Sequence, residues 1–510
     1  MLKKLALYPL CLTIILAFAM PTLAKQPKKG WQRTETTIKA HGNSKIKAIH
    51  YPSKKEIKAR PKQKTPLNFT VGVIDSPPID GFVPWITVSL TDARSADDKW
   101  NAVAYNSVVG NFVNESPGSD PNKDFVVGLF DTGAGITLID YEASRHMGIT
   151  DSYLTEFTID VGGANSSVMT TVSYPLGIFI DGTGILNDRD DPNKVKISNF
   201  NSTVGTSNVS VAFGESGDNL PVAIGAPTVV HFSTFFNNRK NITVNHRGEQ
   251  HTGPEIKIRS YYQSHTLPDY PNELPLAMKP GGTEASYMPW IDVESFEFMP
   301  LIPTTVSLAG TPNQSLLFVP GVDLQHQGET AYDKQSFMID TGAQVTVISK
   351  IIAARLGLDQ NNPDFEVEIE DASGTITMTP GFNIDSLKLV TLGKELKFTN
   401  VPVVMIDIAS PEGGNLDGII GMNLFNEYNL VLHGGAFLES PYLTYIRNIP
   451  GDIAPEYGDE KVDIDDLTVF IEHWLTSENN ANFDINCDIN TDGIVNIEDL
   501  VIIANHWGLL

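Results

Sequence analysis

The feature that most limits what this chain can fold into is that it contains itself twice. Phe130-Asp131-Thr132-Gly133-Ala134, followed by Thr137-Leu138-Ile139, returns as Ile339-Asp340-Thr341-Gly342-Ala343, followed by Thr346-Val347-Ile348. Upstream, Thr87-Val88-Ser89-Leu90 has an echo in Thr305-Val306-Ser307-Leu308. Downstream, Asn219-Leu220-Pro221-Val222-Ala223-Ile224-Gly225 matches Asn415-Leu416-Asp417-Gly418-Ile419-Ile420-Gly421. The offset shrinks from 218 to 196 residues along the chain while the order is kept. Two copies of one fold with loops of different length give that pattern, because surface insertions cost little closure entropy.

Each Asp-Thr-Gly is followed by a short helical pattern ending on a Gly, over 141–148 and 350–357. Alternating strands begin at Phe157 and Phe365, with turn residues at 162–165 and 371–374. With 41 Gly and 32 Pro among 510 residues, the composition suits many short strands better than a helical bundle. The fold class expected is mostly β: two homologous lobes forming a cleft, plus a small helical unit at the C-terminus. The boundaries are a first lobe over 66–265, a connector over 266–285, a second lobe over 286–448 and a terminal unit over 451–510.

Each repeated Asp ends an apolar run, which suits delivery to the floor of a cleft. Gly133 and Gly342 permit a tight turn and a close backbone approach. One Asp-Thr-Gly arises by chance in about a tenth of chains this long. Two copies at matching places in matching halves are far rarer and point to chemistry.

These motifs resemble the active-site segments of aspartic peptidases of the pepsin and retropepsin clan. Ala after the Gly is similar to retropepsins, and two fused lobes are similar to pepsins. The resemblance covers about 66–448 and implies an endopeptidase in which Asp131 and Asp340 are catalytic and share one water. It also implies that Thr132 and Thr341 brace the two turns, with Gly133 and Gly342 completing them, and that catalysis needs no cofactor. Carboxylates about 3 Å apart do not both ionise cheaply, so the pair keeps one proton; one member activates water and the other protonates the carbonyl oxygen. A flap hairpin is expected at 162–167, its counterpart at 371–374 is either a second flap or a plain surface hairpin, and Tyr174 is read as a packing or edge residue. Ala223-Ile224-Gly225 and Ile419-Ile420-Gly421 resemble the strand that passes beneath the catalytic turn. Pro221 and Ala226-Pro227 depart from that pattern in the first copy. The alternative is an inactive secreted binding protein on the same scaffold.

The last sixty residues are duplicated too. Val462-Asp463-Ile464-Asp465-Asp466-Leu467 with His473-Trp474 recurs 33 residues on as Val495-Asn496-Ile497-Glu498-Asp499-Leu500 with His506-Trp507. Asp488, Asn490, Asp492, Asn496 and Asp499 occupy positions 1, 3, 5, 9 and 12 of a loop with Gly493 at 6 and the Ile494 carbonyl at 7, a hard-cation spacing suited to Ca2+. The first copy is degraded, with Pro455, Tyr457 and Glu460 at its positions 1, 3 and 6, and Asp459, Asp463 and Asp466 retained. Leu467, Val469, Phe470, Trp474, Leu500, Ile502, Ile503 and Trp507 are spaced to form apolar helix faces, and His473 and His506 are expected to cap or pack. Asp at position 12 with the following Leu resembles a dockerin repeat. That implies a cohesin-like partner and a role in holding the protein to a surface or assembly.

At the other end, Lys3 and Lys4 precede an apolar run and Thr22-Leu23-Ala24, the pattern of a signal peptide over 1–24. No other run is long enough to span a membrane, so the mature protein is expected to be secreted or at the cell surface. Cleavage leaves Cys487 alone, so no disulfide is expected within the chain. Residues 25–64 hold 13 Lys or Arg against Glu35 and Glu56, and the rest of the mature chain carries about −38 of a total of −25. The 25–65 segment reads as a basic leader or as an inhibitory prosegment set against an acidic body. That body repels phosphate, which argues against nucleic acid as a partner and leaves a polypeptide as the substrate.

Overall fold

The Val126–Asp131 strand is buried at all six positions, and Phe337–Ile339 is buried throughout. A strand with no polar alternation is covered on both faces, and here each is flanked by a parallel neighbour. Val126–Asp131 pairs in parallel with Val222–Gly225, and Phe337–Ile339 pairs in parallel with Gly418–Ile420. The computed structural model describes residues 48–50, 73–92, 124–149, 151–162, 167–173, 176–199, 203–209, 211–214, 222–280, 314–333, 337–370, 376–410, 414–434, 440–490 and 492–508. Residues 1–47, the hairpin tips at 163–166 and 371–375, Tyr174 and the Thr305-Leu308 echo lie outside the described residues.

Around these two strand pairs the halves repeat one topology. Seven strands of the first sheet run Leu154–Gly162, Ser167–Ser173, Ala212–Gly214, Leu138–Asp140, Val222–Gly225, Val126–Asp131, Trp85–Asp92, with Leu176–Gly182 and Val204–Val209 beyond. The second runs Phe365–Glu370, Ile376–Leu389, Leu396–Met405, Val347–Ile348, Gly418–Ile420, Phe337–Ile339, Gln314–Phe318 in the same order. Ala226-Pro227 does not break the correspondence, because Pro227 falls in the first turn of the Ala226–Val229 helix, where no N–H is needed; Pro221 lies outside the described residues. The two short helices form as the pattern predicts, at Tyr141–His146 and Lys350–Arg355. Asp140 and Ser349 cap their starts, and Gly148 and Gly357 turn the chain out of them at φ +83° and +71°.

A further sheet of five strands joins the halves. Its order is Glu249–Ser260, Phe232–His246, Tyr428–His433, Tyr442–Arg447, Asn272–Pro275, so the closing hairpin of each half meets the other along Ser233–Phe236 and Leu430–His433. The expected connector over 266–285 therefore supplies two strands: Asn272–Pro275 to this sheet and Ala277–Pro280 to the second-half sheet. The head of the expected first lobe and part of the leader before it cross over as well. Val73–Asp75 pairs in parallel with Leu396–Met405 of the second half, and Ala48–His50 pairs with Phe365–Glu370. One continuous core runs through both halves, from Phe130 and Ile224 to Ile339 and Ile420.

The C-terminal unit has its own small core of Ile453, Val462, Phe470, Cys487, Val495 and Ile503 beneath the helices Ile464–Glu472 and Ile497–His506. Trp474 and Trp507 depart from the expected apolar faces: they are 36% and 45% exposed, at or beyond the helix ends. His473 and His506 act locally. His473 is the C-cap of the first helix with Nδ1 2.6 Å from Asn482 O, and His506 Nδ1 lies 2.8 Å from Ile502 O.

Candidate active site and calcium loop

Asp131 and Asp340 are fully buried where the two repeated turns meet. The turns are locked by a reciprocal set of hydrogen bonds. Thr132 Oγ1 donates to Ile339 O at 2.8 Å and accepts from Thr341 N at 3.0 Å. Thr341 Oγ1 donates to Phe130 O at 2.7 Å and accepts from Thr132 N at 3.0 Å. Every bond has a mirror image across the junction, so the carbonyl preceding each Asp is held by the hydroxyl of the opposite half.

The carboxylates are fixed from below. Asp131 Oδ1 accepts from Gly133 N at 3.0 Å and Ala134 N at 3.1 Å, while Asp340 Oδ1 accepts from Gly342 N at 2.8 Å. Gly342 also touches the other acid: a Cβ on it would lie 2.6 Å from Asp131 Oδ1. One glycine thus serves both acids, through its N–H to Asp340 and its bare Cα face to Asp131.

The second repeated element lies beneath. Gly225 pairs with Asp131 in register, and Asp340 N donates to Ile420 O at 3.1 Å. A Cβ on Gly225 would come 2.7 Å from Ile136 O, and one on Gly421 would come 2.3 Å from Val345 O, so neither backbone leaves room for a side chain. Thr137 Oγ1 accepts from Gly225 N at 3.0 Å, and Thr346 Oγ1 accepts from Gly421 N at 3.3 Å.

In the C-terminal unit, Asp488 Oδ1 accepts from Asp492 N at 3.0 Å and Oδ2 from Gly493 N at 2.8 Å, with Gly493 at φ +86°. Asp499 accepts from Asn490 N and Asn496 N, at 3.0 and 2.8 Å. The Asn490 amide reaches Asp492 Oδ2 at 3.1 Å, and the Asn496 amide reaches Ile494 O at 3.2 Å. The oxygen-bearing groups of this loop therefore converge on one another. The donor set is all oxygen once the amides turn, which fits a hard cation.

Residues 322–424 match the family model described as Aspartyl protease, and 457–507 match that described as Dockerin type I domain. No curated protein matches the chain. A solved type II Cohesin-X-Dockerin complex from Acetivibrio cellulolyticus, a C-terminal interface mutant, is 18% identical over 28% of this chain and 74% of that chain. Its TM-score is 0.13, too low to carry an argument about fold.

The aspartyl protease match spans only the second half, but the turn it contains is bonded atom for atom to a turn outside it, that of Asp131. Sequence reasoning missed Gln344, whose Nε2 donates to Gly81 O at 3.0 Å while its backbone carbonyl accepts from Gly81 N at 2.8 Å. It ties the head of the expected first lobe to the second-half turn, and no repeat marks it because Gly135 stands at the corresponding place. In the dockerin domain His473, Asp484 and Cys487 bring ligand-type atoms within 4.8 Å of one another, a grouping the repeats did not suggest. Among the described residues no helix is long and apolar enough to cross a membrane.

Proposed function

We propose that the chain is an exported aspartic endopeptidase that hydrolyses peptide bonds with a water held between Asp131 and Asp340, and that its dockerin domain binds Ca2+ and attaches it to a cohesin-like partner. The observation that carries the reading is the contact of Gly342 with both acids, set within the reciprocal threonine lattice. Two buried carboxylates at one junction repel when both are ionised, so the pair holds one proton between them. The ionised member draws a proton from water as its oxygen attacks the peptide carbonyl. The protonated member donates to the carbonyl oxygen, and the leaving amine takes a proton as the tetrahedral intermediate collapses. Backbone N–H groups on the inner oxygens hold each carboxylate in place for these transfers.

Calcium would be held by Asp488, Asn490, Asp492, the Ile494 carbonyl, Asn496 and Asp499, and would supply a fixed charge that orders the loop before the Ile497–His506 helix. Ile497 and Val501 on that helix are 59% and 51% exposed, an apolar strip suited to a protein partner. Export fits the signal-like N-terminus and an anchoring domain.

The reading is tested with purified Asp131→Asn and Asp340→Asn proteins on a denatured protein substrate from pH 3 to 7. Each should lose at least about a thousandfold in kcat/KM with an unchanged circular dichroism spectrum. Cleavage at the wild-type rate by either variant rules out the shared water.

A further inference from the structure

The first dockerin repeat keeps the scaffold of a cation loop but is filled from outside the domain. In the second repeat, the first-position carboxylate of Asp488 accepts the N–H groups of positions 5 and 6, and the twelfth-position carboxylate of Asp499 accepts two more. The first repeat reproduces this with a different residue in front. Asp452, not Pro455, accepts from Asp459 N at 3.0 Å and Glu460 N at 2.8 Å. Asp466 accepts from Ile453 N, Ala454 N and Asp463 N at 2.6, 2.8 and 2.7 Å. Glu460 takes φ +63° where Gly493 takes +86°. The loop is three residues longer than its partner, which is why a fixed twelve-residue spacing puts Pro455 at its head.

The Asp452 side chain has no exposure, and the cation facing it is Arg239 of the Phe232–His246 strand, in the sheet that joins the peptidase halves. Arg239 Nη2 lies 3.1 Å from Asp452 Oδ2, Nη1 donates to Asp452 O, and Nε donates to Asn448 Oδ1 at 3.0 Å. The pocket closes around the guanidinium: a Cβ on Gly458 would stand 2.2 Å from Nη2. Burial pushes the Asp452 carboxyl up to about 6 against the opposing effect of Arg239, so at neutral pH it is ionised beside the guanidinium. Neighbouring contacts run the same way. Lys394 pairs with Glu460, Arg447 N donates to Glu460 Oε1 at 2.9 Å, Lys257 Nζ donates to Tyr457 Oη at 2.9 Å, and the Tyr457 ring meets Phe235 edge-on at 5.0 Å.

We propose that Arg239 stands in for the first calcium, so that the first dockerin repeat is an intramolecular dock onto the peptidase body and the domain binds a single Ca2+ through its second repeat. A calcium ion needs six to eight oxygens at about 2.3–2.6 Å. Here the leading carboxylate is committed to two backbone N–H groups and a guanidinium, whose positive charge repels a second cation at the same oxygens. The planar guanidinium satisfies the carboxylate and a carbonyl together, which a freely exchanging ion does not do permanently.

The single-site count rests on the calcium reading of the second loop, whereas the dock does not. Both are tested on the full chain at pH 7.5. Calcium titration of chelator-treated protein should give one ion per chain, falling to none in Asp488→Asn/Asp492→Asn. Hydrogen exchange of amides 452–466 in Arg239→Met should rise at least about tenfold, with peptide cleavage unchanged and exchange in Tyr428–His433 unaltered. Two ions in the wild type, or one remaining in the second-loop variant, overturns the substitution. Unchanged exchange in Arg239→Met overturns the dock. Zero ions in the wild type sinks the second-loop reading, and the exchange result still decides Arg239 by itself.

Discussion

Gly342 is the residue on which the two halves depend most directly. Its Cα faces the Asp131 carboxylate at a distance that leaves no room for a methyl group, and its N–H anchors Asp340. Gly342→Ala should displace Asp131, because the three atoms nearest the added methyl all belong to the Asp131 carboxylate. We expect a loss in kcat/KM of about a hundredfold or more, as for other small misplacements of catalytic groups. Denaturant unfolding should shift by no more than about 1–3 kcal/mol. Wild-type activity in this variant would mean that the carboxylate position is not what limits the reaction. The Asp-Thr-Gly motif made this residue legible, since a repeated Gly beside a repeated Asp has few physical explanations. Gln344 and Arg239 were illegible for the opposite reason: each acts on a partner remote in sequence, Gly81 or Asp452, and neither residue is itself repeated, Gly135 standing opposite Gln344.

At the scale of elements, the repeated strands and the two helices were readable because their signals are local. Period, caps and terminal glycines lie within each segment, as with Asp140 and Gly148 or Ser349 and Gly357. The strap over 73–82 has no such signal. Its strand Val73–Asp75 adds to the flank of Leu396–Met405 opposite Ile376–Leu389, and the residues after it bond to Asn423, Asn426 and Gln344. Edge addition is satisfied by backbone groups and so leaves little trace in side-chain pattern. The same holds for Asn272–Pro275, where a Pro-rich stretch reads as a linker yet completes a sheet. Gly81 is the strap's closest approach: a Cβ there would lie 2.2 Å from Asn423 N and from Met422 C. Gly81→Ala should therefore lift the strap and lower stability by about 1–3 kcal/mol, measured by urea unfolding. Limited proteolysis should then cut first within 73–82. An unchanged urea midpoint would show that the strap is not part of the cooperative unit.

Taken whole, the molecule buries its ionisable groups in a way that sets how it tolerates acid. Burial lowers His231, His251 and His433 to about 4 and His246 to about 3, all in or beside the joining sheet. Burial raises Asp181 and Asp452 to about 6. The two groups oppose each other between pH 6 and 4.5. An unfolded His takes up a proton near pH 6.5 that the folded one refuses, so each His withdraws stability as pH falls through that value. A folded Asp181 or Asp452 takes up a proton near pH 6 that the unfolded one refuses, so each adds stability as pH falls and loses it as pH rises. Four losses against two gains leave the unfolded state binding about two more protons across this window, a slope of at most about 3 kcal/mol per pH unit. Stability should accordingly be higher at pH 6.5 than at pH 5, even though a carboxylate pair sharing one proton works on the acid side. The body must then be held by what does not titrate: the apolar core common to both halves, and a joining sheet in which the hairpins of the two halves hydrogen-bond directly. Urea midpoints at pH 5.0, 5.5, 6.0 and 6.5 measure the slope. A midpoint that rises toward pH 5 would show that the buried carboxyls outweigh the histidines.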